Sequence, residues 1–232
     1  PAAEQGAPEV EAVTAIAKIG GDDAARALAE IIATGSAGAP PPVPPAVSAA
    51  LLESRRLGAR APVTELVAFA ESPDFNARSR SLYVLGRLRA PRGAARLLAA
   101  LTDREPAIRA VAARGVTKAL LDSARLDARG AVDRLRPLLA DADPQTRINA
   151  LRALGSFRDS GLAAAVAPLV ADQHIGVAVQ AESTLGVLRG AAALQALRSR
   201  VTSSVFALRR QALIALAQAD SASGVLAAAQ VA

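Results

Sequence analysis

The stretch "DPQTRINALRALG", residues 143–155, decides how this chain folds. Asp143 can accept a hydrogen bond from the free amides of a helix start, and Pro144 takes the first helical position, where its missing N–H costs nothing. Ile148, Leu151 and Leu154 recur at spacings of three and form one apolar face. Gly155 reads as the terminator, a left-handed residue at which the chain turns back. A second helix, roughly 160 to 171, follows at once with Leu162, Val166, Leu169 and Val170 on one face. Such a hairpin cannot cover its own apolar surface, so it needs neighbours of the same kind.

Those neighbours appear when the chain is compared with itself. At an offset of 31, "LRPLLAD" at 135–141 falls over "VAPLVAD" at 166–172, and "ALG" at 153–155 falls over "TLG" at 184–186 and "ALA" at 215–217. "VLG" at 84–86, "KIG" at 18–20 and Gly58 are read as the same position in earlier repeats. The interval from Gly20 to Gly58 is 38 because "GSAGAPPPVPP" at 35–45 is inserted, and no helix runs through so much Gly and Pro. The interval from Thr117 to Gly155 is also 38, with "LLDSARLDARG" as the insertion. The expectation is a single domain over 1–232, an all-α solenoid of about seven helical-hairpin repeats. The repeats are placed at 7–34, 46–71, 73–103, 105–141, 143–172, 174–202 and 204–231.

Composition agrees with helices and narrows the chemistry. Hydrophobic residues make up 52% of the chain and aromatics only 2%, so the core must be built from Ala, Leu and other aliphatics that favour helix. No apolar run reaches the roughly 18 residues of a membrane span. The chain has no Cys, which removes disulfides and thiolate chemistry and fits either cytoplasm or periplasm. It also has no Met, even at position 1, which reads as a processed or trimmed product. Lys18 and Lys118 are the only lysines among 27 basic residues, an arginine bias expected of a GC-rich bacterial genome. Residues 76–140 carry fourteen basic and five acidic groups, so the net charge of +6 has its source in the middle of the chain.

Asp-Pro, an Arg three residues after the Pro, "ALRALG" and a short turn into a Leu-rich helix resemble HEAT repeats of the short bacterial type also seen in phycobilisome lyase subunits. Asp143, Pro144, Arg147 and Gly155 carry the resemblance, with Pro106 and Arg109, Pro73 and Arg78, and Arg209 as further matches. It implies an all-α solenoid in which Arg109, Arg147, Arg209 and Asp143 belong to a structural ladder pairing adjacent repeats.

Signs of catalysis are few. His174 is the single histidine, at a helix start, where it reads as a capping or surface residue, and several His-Glu pairs would be needed for a di-iron site. There is no Trp, and Phe69, Phe75, Tyr83, Phe157 and Phe206 read as core or helix-entry residues, not as a base-stacking platform. Asp22 with Asp23, Asp141 with Asp143, and Asp122 with Asp127 fall at turns, where carboxylates serve as caps. No phosphate cradle, catalytic triad or metal-ligand spacing is present, so no enzyme activity and no cofactor are expected.

One cluster could carry function: Arg78, Arg80, Arg87, Arg89, Arg92 and Arg96, without an acidic residue among them, form a candidate site for an anionic partner. The reading is a non-enzymatic interaction scaffold or accessory subunit of a larger bacterial assembly, bound to other protein subunits. Nucleic-acid or other polyanion binding through the Arg-rich third repeat is the alternative, and an accessory role in a bilin lyase, implied only by the resemblance, is the lesser one. The last helix, "SGVLAAAQVA", carries no charge and reads as an end that docks on a partner or continues into further sequence.

Overall fold

In this computed structural model the residues described are 7–220 together with Ala222 and Ala227, and among them there is no strand. Fourteen helices follow in order: α1 (Ala7–Ile19), α2 (Gly21–Ala33), α3 (Pro45–Glu53), α4 (Val63–Phe69), α5 (Phe75–Leu88), α6 (Ala94–Ala99), α7 (Pro106–Gly115), α8 (Lys118–Ala124), α9 (Ala128–Leu135), α10 (Pro144–Gly155), α11 (Ala163–Val166), α12 (Ile175–Leu188), α13 (Ala191–Arg198) and α14 (Phe206–Ala219). They pair as hairpins in chain order, which is the all-α solenoid architecture the repeat implied. Six hairpins and the first helix of a seventh fall in the described residues. The expected charge-free second helix of the last repeat, and the docking end built on it, lie outside them.

The chain divides into two compact units. Unit 1 runs to Val116 and includes Leu120–Leu126, and unit 2 comprises Thr117–Ala119 and the chain from Asp127 on. In unit 1 the first helices of successive hairpins, α1, α3, α5 and α7, pack side by side; in unit 2, α10, α12 and α14 do the same. Leu82 and Leu85 of α5 and Leu151 and Leu154 of α10 are fully buried in these layers, at the positions the three-residue spacing marked. Removing one such leucine side chain would cost roughly 2–5 kcal/mol.

The glycine of the repeat has a different task from the one its position suggested. Gly155 is the last residue of α10 and has ordinary helical geometry; the left-handed residue of that turn is Arg158, at φ 54°. What Gly provides is proximity. A Cβ on Gly86 would stand 2.8 Å from the Gly115 Cα of the neighbouring first helix, and one on Gly186 would stand 3.0 Å from the Ala215 Cα. Bare backbones therefore meet at these points, which lets a small-residue core close without voids. Gly115, not Thr117, is the partner at this place in repeat four. Gly20 and Gly58, read from sequence as members of the same set, instead have positive φ (72° and 57°) and sit at the turn where later hairpins carry Arg.

Second helices are broken where the expectation was one continuous helix. The segment from 160 to 171 is a 3-10 turn, the short α11 and a second 3-10 turn over Ala167–Ala171, because Pro168 lacks the N–H that an α-helical bond would need. Pro137 has the same effect after α9. The insertion in repeat four supplies the separate helix α8, and the Pro-rich 35–45 segment is pinned where the Val43 N–H donates to Asp74 Oδ2 at 3.2 Å.

Candidate interaction surface

The arginine that follows the entry of α5, α7, α10 and α14 is a clamp. Arg147 donates from Nε to Asp172 Oδ2 and from Nη2 to Asp172 Oδ1, both at 2.9 Å, and from Nη1 to the Asp141 carbonyl at 2.8 Å. Arg78 repeats this in unit 1, with Nε on Asp103 Oδ2 at 3.0 Å and Nη1 on the Ser72 carbonyl at 2.7 Å. Arg109 and Arg209 place Nη1 on the carbonyls of Asp103 (2.9 Å) and Ser203 (2.8 Å), in each case six residues back. The guanidinium thus satisfies the carbonyls of the turn that precedes its helix and, through the bidentate contact, ties that turn to the next. Asp143 is a cap and not a partner of these arginines: its Oδ2 accepts from the Thr146 amide at 2.7 Å and from the Thr146 hydroxyl at 2.8 Å.

Burial alone would raise the Asp172 carboxyl, but the Arg147 guanidinium and the His174 amide overcome it and hold Asp172 below its ordinary value. Burial likewise opposes ionisation of Glu53, and the Arg56 and Arg55 side chains outweigh it, so that its carboxyl is lowered. Asp127 is lowered by the Gly130 and Arg129 amides that it caps at the start of α9. His174 is exposed at the start of α12, and its amide donates to Asp172 Oδ1 at 2.8 Å. Of the other turn carboxylates, Asp22 pairs with Arg60, Asp23 with Arg26, and Asp141 accepts from the Asp143 amide at 2.9 Å.

The Arg-rich third repeat divides into two sets. Arg78 is buried in its clamp, Arg80 donates to the Ser48 hydroxyl at 2.6 Å, and Arg96 pairs with Glu71. Arg87, Arg89 and Arg92 are exposed, and none of them forms an ion pair among the described residues. Arg89 and Arg92 line a cleft of about 540 Å³ whose opposite wall is Gly58–Glu65.

Three features are not read from the sequence. Apolar residues stand exposed at the first position of the first helices: Phe75 on α5, Ile175 on α12 and Phe206 on α14, with Phe206 68% exposed. Phe75 and Phe206 are thus outside the core, and the Arg209 guanidinium lies 5.8 Å from the Phe206 ring centroid. Glu182 is fully buried in α12, with Arg200 Nε 3.5 Å from Oε1 and no partner for Oε2. Burial, opposed incompletely by Arg200, pushes its carboxyl up to about 7. The register held the signal, since Glu182 falls one period of 31 after Leu151. The third is a set of left-handed arginines, of which Arg158 and Arg189 fall one period of 31 apart.

Comparison with known proteins agrees with this geometry. A family model described as HEAT repeats matches residues 94–186 and 132–217, which together span more than half of the chain. The chain belongs to the HEAT-repeat family. No curated protein matches it. Among solved structures, a designed armadillo repeat protein is 14% identical with a TM-score of 0.61, over 83% of this chain and all of that one. An engineered protein is 19% identical with a TM-score of 0.58, over 91% of this chain and 96% of that one. The complex of CpcE and CpcF of phycocyanin lyase from Nostoc is 18% identical with a TM-score of 0.53, over 94% of this chain and 86% of that one. At these identities the likeness is one of fold. Among the described residues of these HEAT repeats no group of three or more His, Asp or Glu is placed to hold a metal ion, and no helix is long and apolar enough to cross a membrane.

Proposed function

We propose that this HEAT-repeat chain is a non-enzymatic scaffold that holds other protein subunits. The observation that carries the reading is the exposed apolar set at the helix entries. In unit 2, Ile175 and Phe206 occupy the same position of successive first helices, 51% and 68% exposed, with Val205 beside them. Large apolar side chains held outside the core, beside polar turns, suit a protein partner that buries them. The clamps on either side keep that spacing rigid, so little order has to be gained on binding. Replacing Ile175 and Phe206 together by Ser should abolish co-purification of stoichiometric partners from the native source while thermal unfolding is unchanged. Full retention of partners would refute the reading.

Polyanion binding is a second reading, and the exposed Arg87, Arg89 and Arg92 favour it. It predicts affinity for duplex or single strands that falls steeply with salt and is lost in Arg87→Glu with Arg89→Glu. An accessory role in a bilin lyase would rest on the likeness to the CpcE–CpcF complex alone, and that likeness is of fold.

A further inference from the structure

Among the described residues the non-glycine positions with positive φ are four, and all are arginine: Arg89 (50°), Arg125 (56°), Arg158 (54°) and Arg189 (64°). Arg89, Arg158 and Arg189 recur at one place, the turn between the two helices of a hairpin, and Arg125 is at the turn between the inserted α8 and α9. The first two hairpins have Gly20 and Gly58 there, so the turn closes with glycine and the backbone has no need of a side chain. An L-residue in this conformation is held against its own preference, and the arginine is not repaid by an ion pair: none of the four makes one among the described residues. All four are exposed. Attraction to the C-terminal end of the preceding helix accounts for a positive charge near the turn, but not for its placement on the one residue where glycine is easiest.

In unit 2 two of these arginines are brought together. A Cβ on Gly190 would lie 3.2 Å from the Ser160 Cβ, so the turn that carries Arg189 rests against the turn that carries Arg158. Both arginines line one cleft of about 300 Å³, whose other walls are Gly186, Val187, Leu188 and Gln218. Among the described residues no acidic side chain lines it. The two guanidiniums are cationic donors without an anionic acceptor among the described residues of the cleft, and a carboxylate fits such donors by paired N–H···O contacts. Val187 and Leu188 offer an apolar flank for the methylenes of that side chain, and among the described residues of the cleft there is no aromatic ring on which a nucleobase could stack.

We infer that the cleft between Arg158 and Arg189 receives a carboxylate side chain from an acidic, Asp/Glu-rich segment of a partner polypeptide. The inference rests on the scaffold reading and names the chemistry of the partner. It makes Arg158 and Arg189 recognition residues, with the clamp arginines left to hold the fold.

The test uses the whole chain with Arg158→Gly and Arg189→Gly, a change the backbone favours, beside Arg210→Ala as a control at an exposed arginine outside the cleft. Fluorescence anisotropy with a labelled oligo-glutamate peptide at low salt should show binding that weakens with salt. In the double glycine variant it should be about tenfold weaker or more, while Arg210→Ala stays close to wild type. The unfolding temperature of the glycine variant should be unchanged or higher. Equal peptide binding by the variant overturns the inference, as does a lowered unfolding temperature with binding intact. Loss of duplex DNA binding in the variant, with no peptide binding by the wild type, overturns it in favour of a polyanion site. Partners that co-purify equally with wild type and variant would sink this cleft and leave the scaffold reading standing, whereas no partner with either would sink that reading itself.

Discussion

Unit 2 contains two arginine–carboxylate pairs that behave in opposite ways. In Arg147–Asp172 the guanidinium meets both carboxylate oxygens at 2.9 Å, its remaining donors reach backbone carbonyls, and the carboxyl is lowered. In Arg200–Glu182 a single contact of 3.5 Å reaches one oxygen, the other is buried without a partner, and the carboxyl is raised to about 7. The same two charged groups, guanidinium and carboxylate, differ because one pair is placed at a turn that supplies further hydrogen bonds. The other puts a carboxylate where neighbouring repeats carry a core leucine. Burial of a charge is tolerated only to the extent that every lone pair is answered.

The contrast can be broken at its strong end first. Arg147→Ala would leave Asp172 and the turn carbonyls unanswered and should cost about 3–4 kcal/mol, read by chemical denaturation. A loss below about 1 kcal/mol would mean that the clamp is a surface pair of little consequence.

The next effect is pH dependence, and the two pairs give opposite signs. Glu182 titrates near 4.5 when unfolded and at about 7 when folded, so its stabilising protonated state is complete below 4.5 and is lost as pH rises towards 7. That limb should amount to roughly 3 kcal/mol, and Glu182→Gln should flatten it. Asp172 is lowered in the fold, so its contribution is present above its unfolded value and fades as pH falls through the folded one; Arg147→Ala should flatten that acid limb instead. A stability profile unchanged by Glu182→Gln would remove the contrast altogether.

Glu182→Leu restores the residue that Leu82 and Leu151 have at this place and should stabilise the chain by about 1–3 kcal/mol. Should it also release a partner, the carboxylate is maintained for binding at the expense of the core. The smallest effect is expected at the cap: Asp143→Ala should cost about 1 kcal/mol, since only the start of α10 loses its acceptor.

Much of the fold was legible in local chemistry. Asp143 and Pro144 specify where α10 begins, and Leu151 and Leu154 mark the face it buries while Ile148 of the same spacing is only half-buried, because caps and periodicity act within one helix turn. The clamp arginines were legible as a repeating position, and the 35–45 insertion as a break. The Gly at the end of "ALG" was misread for a physical reason. A glycine that ends a helix and one that lets two helices touch look the same in one dimension, and only the 2.8 Å approach of Gly86 to Gly115 separates them.

The candidate surface was less visible. Six arginines between 78 and 96 look equivalent in sequence, yet three are engaged by Asp103, Ser48 and Glu71, the last two contributed by the preceding repeat. The exposure of Phe75 and Phe206 follows from their position at the helix start, which turns the side chain out past the edge of the layer. What the sequence by itself determined is the helical hairpin, its period and its caps, all set by interactions between residues a few positions apart. Only the tertiary structure decided which arginines are spent on carbonyls and carboxylates and which stand at left-handed turns facing solvent. The carbonyls lie six residues back, but the carboxylates of the clamps lie 25 residues on, and no local pattern encodes the distance across which a stack of repeats brings them together.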